Sequence, residues 1–420
     1  MFMIFIALLG AAFLIWFILV ALFTPALNYR VRKELPVGSE DFVHVLQTVC
    51  QAAIQHGNRI EVFTNGERFY PAMLEAIHGA QQTVTAEWYI LDKGTVPGLF
   101  VDALAERAQA GVLVTIVVDA LGSARLPKAS RERLKEAGCR LERYQPITWY
   151  RLARLNNRTH REILVVDGRT AFVGGAGIAD WWHREHAKNQ PSWRDTMVRV
   201  EGPIVSAIQG VFAENWLECC GEILTGREFF PRLEPVGDSS AIVVRSSPSD
   251  RATVSRVTFE LLLEGARREI RISTPYFLPD RPLRRALRET VRRGVSVTVL
   301  VPGPLTDQKW VRIASRRNYE ELLEAGVRIF EYGPAMTHVK ALIIDRRWSV
   351  VGTTNIDNRS FEHNDEINLL VEDPAVAERL NEDFERDLSE STEITLERWR
   401  ARPLWETLIG PVVWILERQQ

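Results

Sequence analysis

The residues whose types and spacing could do chemistry sit in one string: His338-Val339-Lys340, then Asp345, then Gly352-Thr353-Thr354-Asn355. An imidazole can attack or protonate, while an ammonium and an amide N–H can hold anionic oxygens, so the string suits a phosphate-handling site. The run Ala341-Leu342-Ile343-Ile344 that follows is apolar and largely β-branched and reads as a buried strand. Residues i and i+2 share a face in extended chain, so His338 and Lys340 are expected to point together into one pocket. An imperfect copy lies earlier, at His160-Arg161-Glu162, Asp167 and Gly174-Gly175, with its own apolar run Ile163-Leu164-Val165-Val166. Repetition of so specific a string argues for two half-sites in one chain.

The elements that must position these strings repeat as well. Ala76 to Val84 matches Leu262 to Ile270, each a helix end running into a strand, and Ala103 to Val112 matches Ala286 to Val295. In the second copy Leu283, Ala286, Leu287, Thr290 and Val291 recur at helical spacing, and Gly111 and Gly294 fall where helix-capping glycines belong. Strand, helix, strand, helix order in each half predicts two α/β sandwich domains, each with a mixed sheet between helices. The seam is expected within Gly226 to Ser240, where Pro231, Pro235, Gly237 and Ser239-Ser240 break the pattern.

The chain has 420 residues, 46% of them hydrophobic, enough for a large core and two domains. Phe2 to Phe23 carries no charge and matches the ~20 residues of a transmembrane helix. Arg30, Arg32 and Lys33 follow it and nothing basic precedes it, which places the bulk of the chain on the cytoplasmic side of a single-pass anchor in the inner membrane. A cleaved signal peptide fits less well, because the basic leading region is missing. The apolar segment Leu404 to Leu416 is too short to span and contains Pro411, so it is read as interfacial or packed. Cys50, Cys139, Cys219 and Cys220 show neither zinc nor redox spacing. A formal net charge of −2 argues against a nucleic-acid partner.

The doubled string resembles the HKD signature of the phospholipase D superfamily, from about Ile60 to Val371. Phe63-Thr64-Asn65-Gly66, Ser273 to Asp280 and Asn355 to Phe361 are similar to segments of the bacterial cardiolipin synthase branch. The resemblance implies two tandem phospholipase D-like α/β/α sandwich domains related by pseudo-twofold symmetry, with both histidines facing one cleft. The expected division is a transmembrane helix over 1–25, a juxtamembrane segment over 26–58, the first domain over 59–225, a linker over 226–240, the second domain over 241–395 and an apolar tail over 396–420. It further implies His160 as the nucleophile forming a phosphohistidine and His338 as the acid and base. Lys340 and Asn355 would hold the non-bridging oxygens, and Tyr276 would lie near the substrate. Asp195 and Glu366 are the candidate carboxylate partners of the histidines. Asp167 and Asp345, at strand ends, are read as holding the turns that follow them, and Gly174, Gly175 and Gly352 as structural glycines of the motif.

Two positions depart from the pattern: Glu162 stands in place of lysine and Gly177 in place of asparagine. A carboxylate about 4 Å from a phosphate exchanges an attraction for a repulsion of a few kcal/mol. Glu162 is therefore either neutralised, by protonation or by Arg158, Arg161 or Arg194, or turned toward a cationic or polyol headgroup, or the mark of a weak enzyme that binds lipid. The aromatic pairs Trp181-Trp182, Trp88-Tyr89 and Tyr276-Phe277 read either as an acyl-chain entrance or as core.

The function expected first is a membrane-bound phosphatidyltransferase of cardiolipin synthase type, taking phosphatidylglycerol as its phospholipid substrate and needing no metal or organic cofactor. Phosphodiester hydrolysis on the same residues is the second reading and a phosphodiesterase acting on nucleic acid the third, with non-catalytic lipid binding a further reading on the strength of Glu162. No sequence feature assigns an oligomeric state.

Overall fold

A computed structural model of the chain describes residues 5, 6, 8–13, 15, 16, 31, 35–146, 156–183, 190–248 and 254–402. In the first half the strands are β1 (Gln55–Thr64), β2 (Thr83–Trp88), β3 (Leu113–Asp119), β4 (Arg140–Tyr144), β5 (Arg158–Thr159), β6 (Ile163–Val166), β7 (Thr170–Gly174) and β8 (Thr196–Glu201). In the second they are β9 (Ser239–Ser246), β10 (Glu269–Ser273), β11 (Ser296–Pro302), β12 (Arg328–Tyr332), β13 (Ala341–Ile344), β14 (Trp348–Gly352), β15 (Asn364–Glu372) and β16 (Ser391–Ile394).

Both halves contribute to a single sheet in the order β16-β12-β11-β10-β13-β14-β15-β9-β1-β8-β7-β6-β2-β3-β4, with β5 paired to β15 off that path. The junction is β1 against β9, antiparallel, with Gln55 opposite Ala241 and Asn58 opposite Ser239. Outward from it, β1-β8-β7-β6-β2-β3-β4 mirrors β9-β15-β14-β13-β10-β11-β12, the strand-level form of the sequence duplication. The outer strands β2, β3 and β4 run parallel, as do β10, β11 and β12, while the inner ones are antiparallel. The sequence suggested a linker up to residue 240, yet Ser239 and Ser240 already belong to β9. The seam is thus hydrogen-bonded sheet, because these two serines pair with β15 and β1.

The alternating apolar residues of each strand feed different cores. Ile163, Val165, Val243, Ile367 and Leu369 lie in a buried layer shared by both halves, whereas Leu164 packs in the first half's outer core and Leu342 in the second's. Each such side chain contributes about 1.5–3 kcal/mol when fully buried. Two helices tie the seam: Val205–Cys220 packs against β9 of the other half, and Pro374–Ser389 against β1. The second helix starts at Asp373, whose carboxylate accepts from the amides of Ala375 and Val376. Helix Arg281–Arg292 buries Leu283, Ala286, Leu287 and Thr290, and Gly294 follows it at φ +88°, a left-handed conformation that favours glycine.

Most of the uncharged segment Phe2 to Phe23 and all of the segment Leu404 to Leu416 lie outside the described residues. Among the described residues no helix is long and apolar enough to cross a membrane.

Candidate active site

Short crossings between the halves build the site. β5 leaves its own half and runs parallel to β15, with Arg158 opposite Asn364 and Thr159 opposite Asp365. The next residue, His160, donates its backbone N–H to Asp365 O at 2.8 Å. The other half repeats the arrangement: Thr337 bridges Arg194, and His338 donates its N–H to Arg194 O at 2.7 Å. The residue after each accepting carbonyl is a carboxylate. His160 donates from Nδ1 to Glu366, at 3.0 and 3.1 Å from the two oxygens, and His338 donates from Nδ1 to Asp195 Oδ2 at 2.9 Å. An ionised carboxylate can only accept, so each Nδ1 carries the proton and each Nε2 is the nitrogen left for chemistry.

The two carboxylates are fully buried and separately supported. Asp195 accepts from Trp182 Nε1 at 3.0 Å and from the Thr196 amide at 2.8 Å. Glu366 accepts from Thr353 Oγ1 at 2.5 Å and from Asn364 Nδ2 at 3.3 Å. Gly175 occupies the position matching Thr353; a Cβ there would lie 2.6 Å from Asp195 Oδ1, so the shorter carboxylate requires glycine beside it. At Gly174 a Cβ would press on Thr196 O, and at Gly352 on Ile367 O, which keeps β7 against β8 and β14 against β15.

A cavity of about 540 Å³ opens between the halves, and His160, His338, Glu162, Gly175, Asn355 and Tyr276 share its wall. Lys340 does not line it. Its Nζ lies 2.9 and 3.2 Å from the ring nitrogens of His338 and 3.2 Å from that residue's carbonyl oxygen, so the two share a face as expected but the ammonium rests against the imidazole. Desolvation, and then the neighbouring Lys340, hold the His338 pKa below its ordinary value. Desolvation also lowers the Lys340 pKa, against the opposing pull of Asp195, Glu366 and Glu162.

Glu162 is only 3% exposed, and burial pushes its carboxyl well above the usual range, opposed by the backbone amides of Ile90 and Tyr89 and by Lys340. The three arginines considered as partners hold other acids. Arg158 faces Asp119 at 3.6 Å, Arg161 meets Glu214 at 2.7 Å, and Arg194 meets Asp387 at 2.9 Å. Gly177 lies alongside: a Cβ there would be 2.7 Å from Ile90 Cβ and 3.1 Å from Glu162 Oε1. The two departures from the motif are therefore neighbours, and the missing side chain at 177 leaves the space in which Glu162 and Ile90 meet.

Asp167 and Asp345 lie away from the cavity, each at φ +52°. Asp167 accepts from the amides of Gln81, Gln82 and Thr83, and Asp345 from those of Arg267, Arg268 and Glu269. The expectation that each holds the turn after it is corrected here. Each instead gathers three successive amides at the start of a neighbouring strand, β2 or β10, because the left-handed backbone aims the carboxylate across the sheet. The aromatic pairs divide: Trp88 and Phe277 are core, while Tyr89, Trp181, Tyr276 and the buried Trp182 line the cavity. Trp182 and Trp193 also flank His338, with ring centroids 5.4 and 5.5 Å away.

Sequence reasoning missed Asp307, which accepts from the Tyr276 hydroxyl at 2.6 Å, and the wall residues Arg125, Arg359 and Asn364. Asp307 and Arg125 sit in the loops after β11 and β3, equivalent strands. The duplication was the one signal that could have pointed to both.

The family model described as "Cardiolipin synthase, PLD-like domain" matches residues 73–216 and 261–388. A cardiolipin synthase of Alkalihalophilus pseudofirmus is 33% identical over 386 residues, covering 91% of this chain and 76% of that one. The major cardiolipin synthase ClsA of Bacillus subtilis is 32% identical over 384 residues, covering 90% and 79%. Among solved structures, the phosphatidylserine synthase of Haemophilus influenzae superposes with a TM-score of 0.67 at 14% identity, covering 90% of this chain and 97% of that one. At that identity the likeness is one of fold.

Proposed function

The chain belongs to the cardiolipin synthase family of phospholipase D-like proteins, and on that premise we propose that it joins two molecules of phosphatidylglycerol into cardiolipin and releases glycerol. The observation that carries this reading is the crosswise arrangement of His160 on Glu366 and His338 on Asp195, with both imidazoles facing one cavity.

In this mechanism Nε2 of His160 attacks the phosphorus of the first lipid while His338, entering the step as the imidazolium, gives its Nε2 proton to the departing glycerol oxygen. The P–O bond breaks as the P–N bond forms. The second lipid's hydroxyl then passes its proton to His338 and attacks, breaking the P–N bond and regenerating His160. Two steps through a covalent intermediate replace one difficult displacement on an anionic centre. Lys340 and Asn355 hold the non-bridging oxygens where charge accumulates. Lys340 reaches the phosphate by releasing the His338 ring. Asp195 and Glu366 fix the tautomers. Asp167 and Asp345 act on the fold alone.

The uncharged Phe2 to Phe23 segment and the basic residues after it support attachment to the cytoplasmic membrane with the catalytic part on its inner side. Lipid mass spectrometry on the detergent-purified full chain with phosphatidylglycerol vesicles tests the reading. Cardiolipin from the native protein, absent with His338→Ala, is the expected result; phosphatidic acid alone would point to hydrolysis.

A further inference from the structure

Around the first half-site, altered at Glu162 and Gly177, residues of both halves line the cavity with buried polar atoms that have no hydrogen-bond partner among the described residues. Glu162 Oε2, Asn364 Oδ1 and Ser360 Oγ are all of this kind, and their residues are 3%, 5% and 1% exposed. A buried polar atom left unpaired is costly, so these three, beside Asn355 Oδ1 and Asp92 Oδ1 on the same wall, indicate a ligand group that pairs with them. Their chemistry is defined. Asn364 turns its amide nitrogen to the Glu366 carboxylate, which leaves its oxygen as an acceptor. Ser360 can donate or accept, and so can the Glu162 carboxyl, whose burial favours the protonated form. Such a set matches hydroxyl groups. A phosphate would leave Asn364 Oδ1 without a donor, and Lys340, whose charge acts on Glu162, disfavours a second cation beside it.

We propose that Glu162, with Asn364 and Ser360, forms a subsite for a vicinal-diol headgroup, so that the first half-site reads the polyol while the second holds the phosphate. The inference rests on the transferase reading and assigns the residues by which the acceptor's polyol headgroup is distinguished from a simple alcohol. Lysine at 162 would bind phosphate at the same place, and a side chain at 177 would displace the Glu162 carboxyl from its seat beside Ile90.

The test uses the full chain with a phosphatidyl donor carrying p-nitrophenol as headgroup, so that the first step makes no demand on a polyol site. Propane-1,2-diol, propan-1-ol and ethanolamine compete as acceptors, and the product ratio is read by mass spectrometry. We expect the native chain to favour the diol over propan-1-ol about tenfold or more, and Glu162→Leu to bring the ratio near unity. Glu162→Gln, which keeps the size and one acceptor oxygen, should fall between and covers the case in which the leucine variant does not fold. Equal use of diol and alcohol by the native chain, preference for ethanolamine, or an unchanged ratio in both variants would each overturn the proposal. If the native chain releases no nitrophenol, the transferase reading fails separately. Saturation-transfer NMR with glycerol against propan-1-ol then decides the subsite: a glycerol signal lost in Glu162→Leu supports it, and no glycerol signal from the native chain overturns it.

Discussion

His160 and Glu366 lie 206 positions apart in the sequence, yet the imidazole Nδ1 is 3.0 Å from the carboxylate, and the backbone N–H of the same histidine is bonded to the residue before that glutamate. One strand pairing therefore sets both the main-chain position and the ring orientation. His338 and Asp195 repeat the relationship in the opposite sense.

If each histidine and its carboxylate act as a unit, their losses should not add. Asp195→Asn and Glu366→Gln are expected to lower turnover by about 10²-fold, and His338→Ala and His160→Ala by 10³-fold or more. The doubles His338→Ala/Asp195→Asn and His160→Ala/Glu366→Gln should be no slower than the alanine variants alone. Cardiolipin formation rates for the six proteins check this, and full additivity in either pair would refute it.

Gly177→Ala should destabilise the fold by about 1–3 kcal/mol, since the new methyl would sit 2.7 Å from Ile90 Cβ and 2.8 Å from Ile90 O. Thermal melting of the variant provides the measurement. Unchanged melting would mean that the segment around Ile90 yields easily. The same crowding predicts that Glu162→Lys tolerates Gly177→Asn better than Glu162 itself does, because lysine vacates the seat of the carboxyl.

Asp167→Ala and Asp345→Ala each remove the acceptor of three backbone amides, and each should lower stability by on the order of 2 kcal/mol or more. Chemical denaturation should report similar losses for the two variants. Activity per folded molecule should stay near native, and a selective loss of turnover would instead place these carboxylates in the chemistry.

Behind the first half-site, Glu87 is fully buried, accepts from Asn215 Nδ2 at 2.6 Å and from Thr159, and has its pKa pushed by desolvation to about 7. The folded protein thus keeps this proton up to about pH 7, while the unfolded chain loses it near the ordinary glutamate value of 4.5. Stability from this group is full below pH 4.5 and is lost as pH rises through 7, a loss on the order of 2–3 kcal/mol. Glu87→Gln, a permanently neutral analogue, should flatten that part of the melting-temperature profile between pH 5 and pH 8. A profile as steep as the native one would assign the pH dependence to other groups.

The strings around His338 and His160 located the chemistry because strand alternation and repetition are local signals, and the buried runs Ile163–Val166 and Ala341–Ile344 are the strands those signals describe. The crossings were illegible: β5 has two residues, too few for any periodicity, and it is defined by a partner two hundred positions away. The same holds for the partners of Asp167, some 85 residues earlier. Glu162 was legible as an anomaly and not as a geometry, since its neighbours Tyr89 and Ile90 follow β2 and carry no motif. Asp307 escaped because a lone acid in a loop has no local pattern, and only the duplication relates it to Arg125.

The crosswise pairing has a consequence for what a single half could be. Cut from its partner, either half would present a histidine with no carboxylate and a carboxylate with no histidine. A second copy docked about a twofold axis would supply both, but two products of one gene are obliged to be alike. Fusing the copies into one chain removes that obligation and makes their encounter independent of concentration. Only then can one position hold glutamate at 162 and its counterpart hold lysine at 340, so that a symmetrical scaffold acquires a direction.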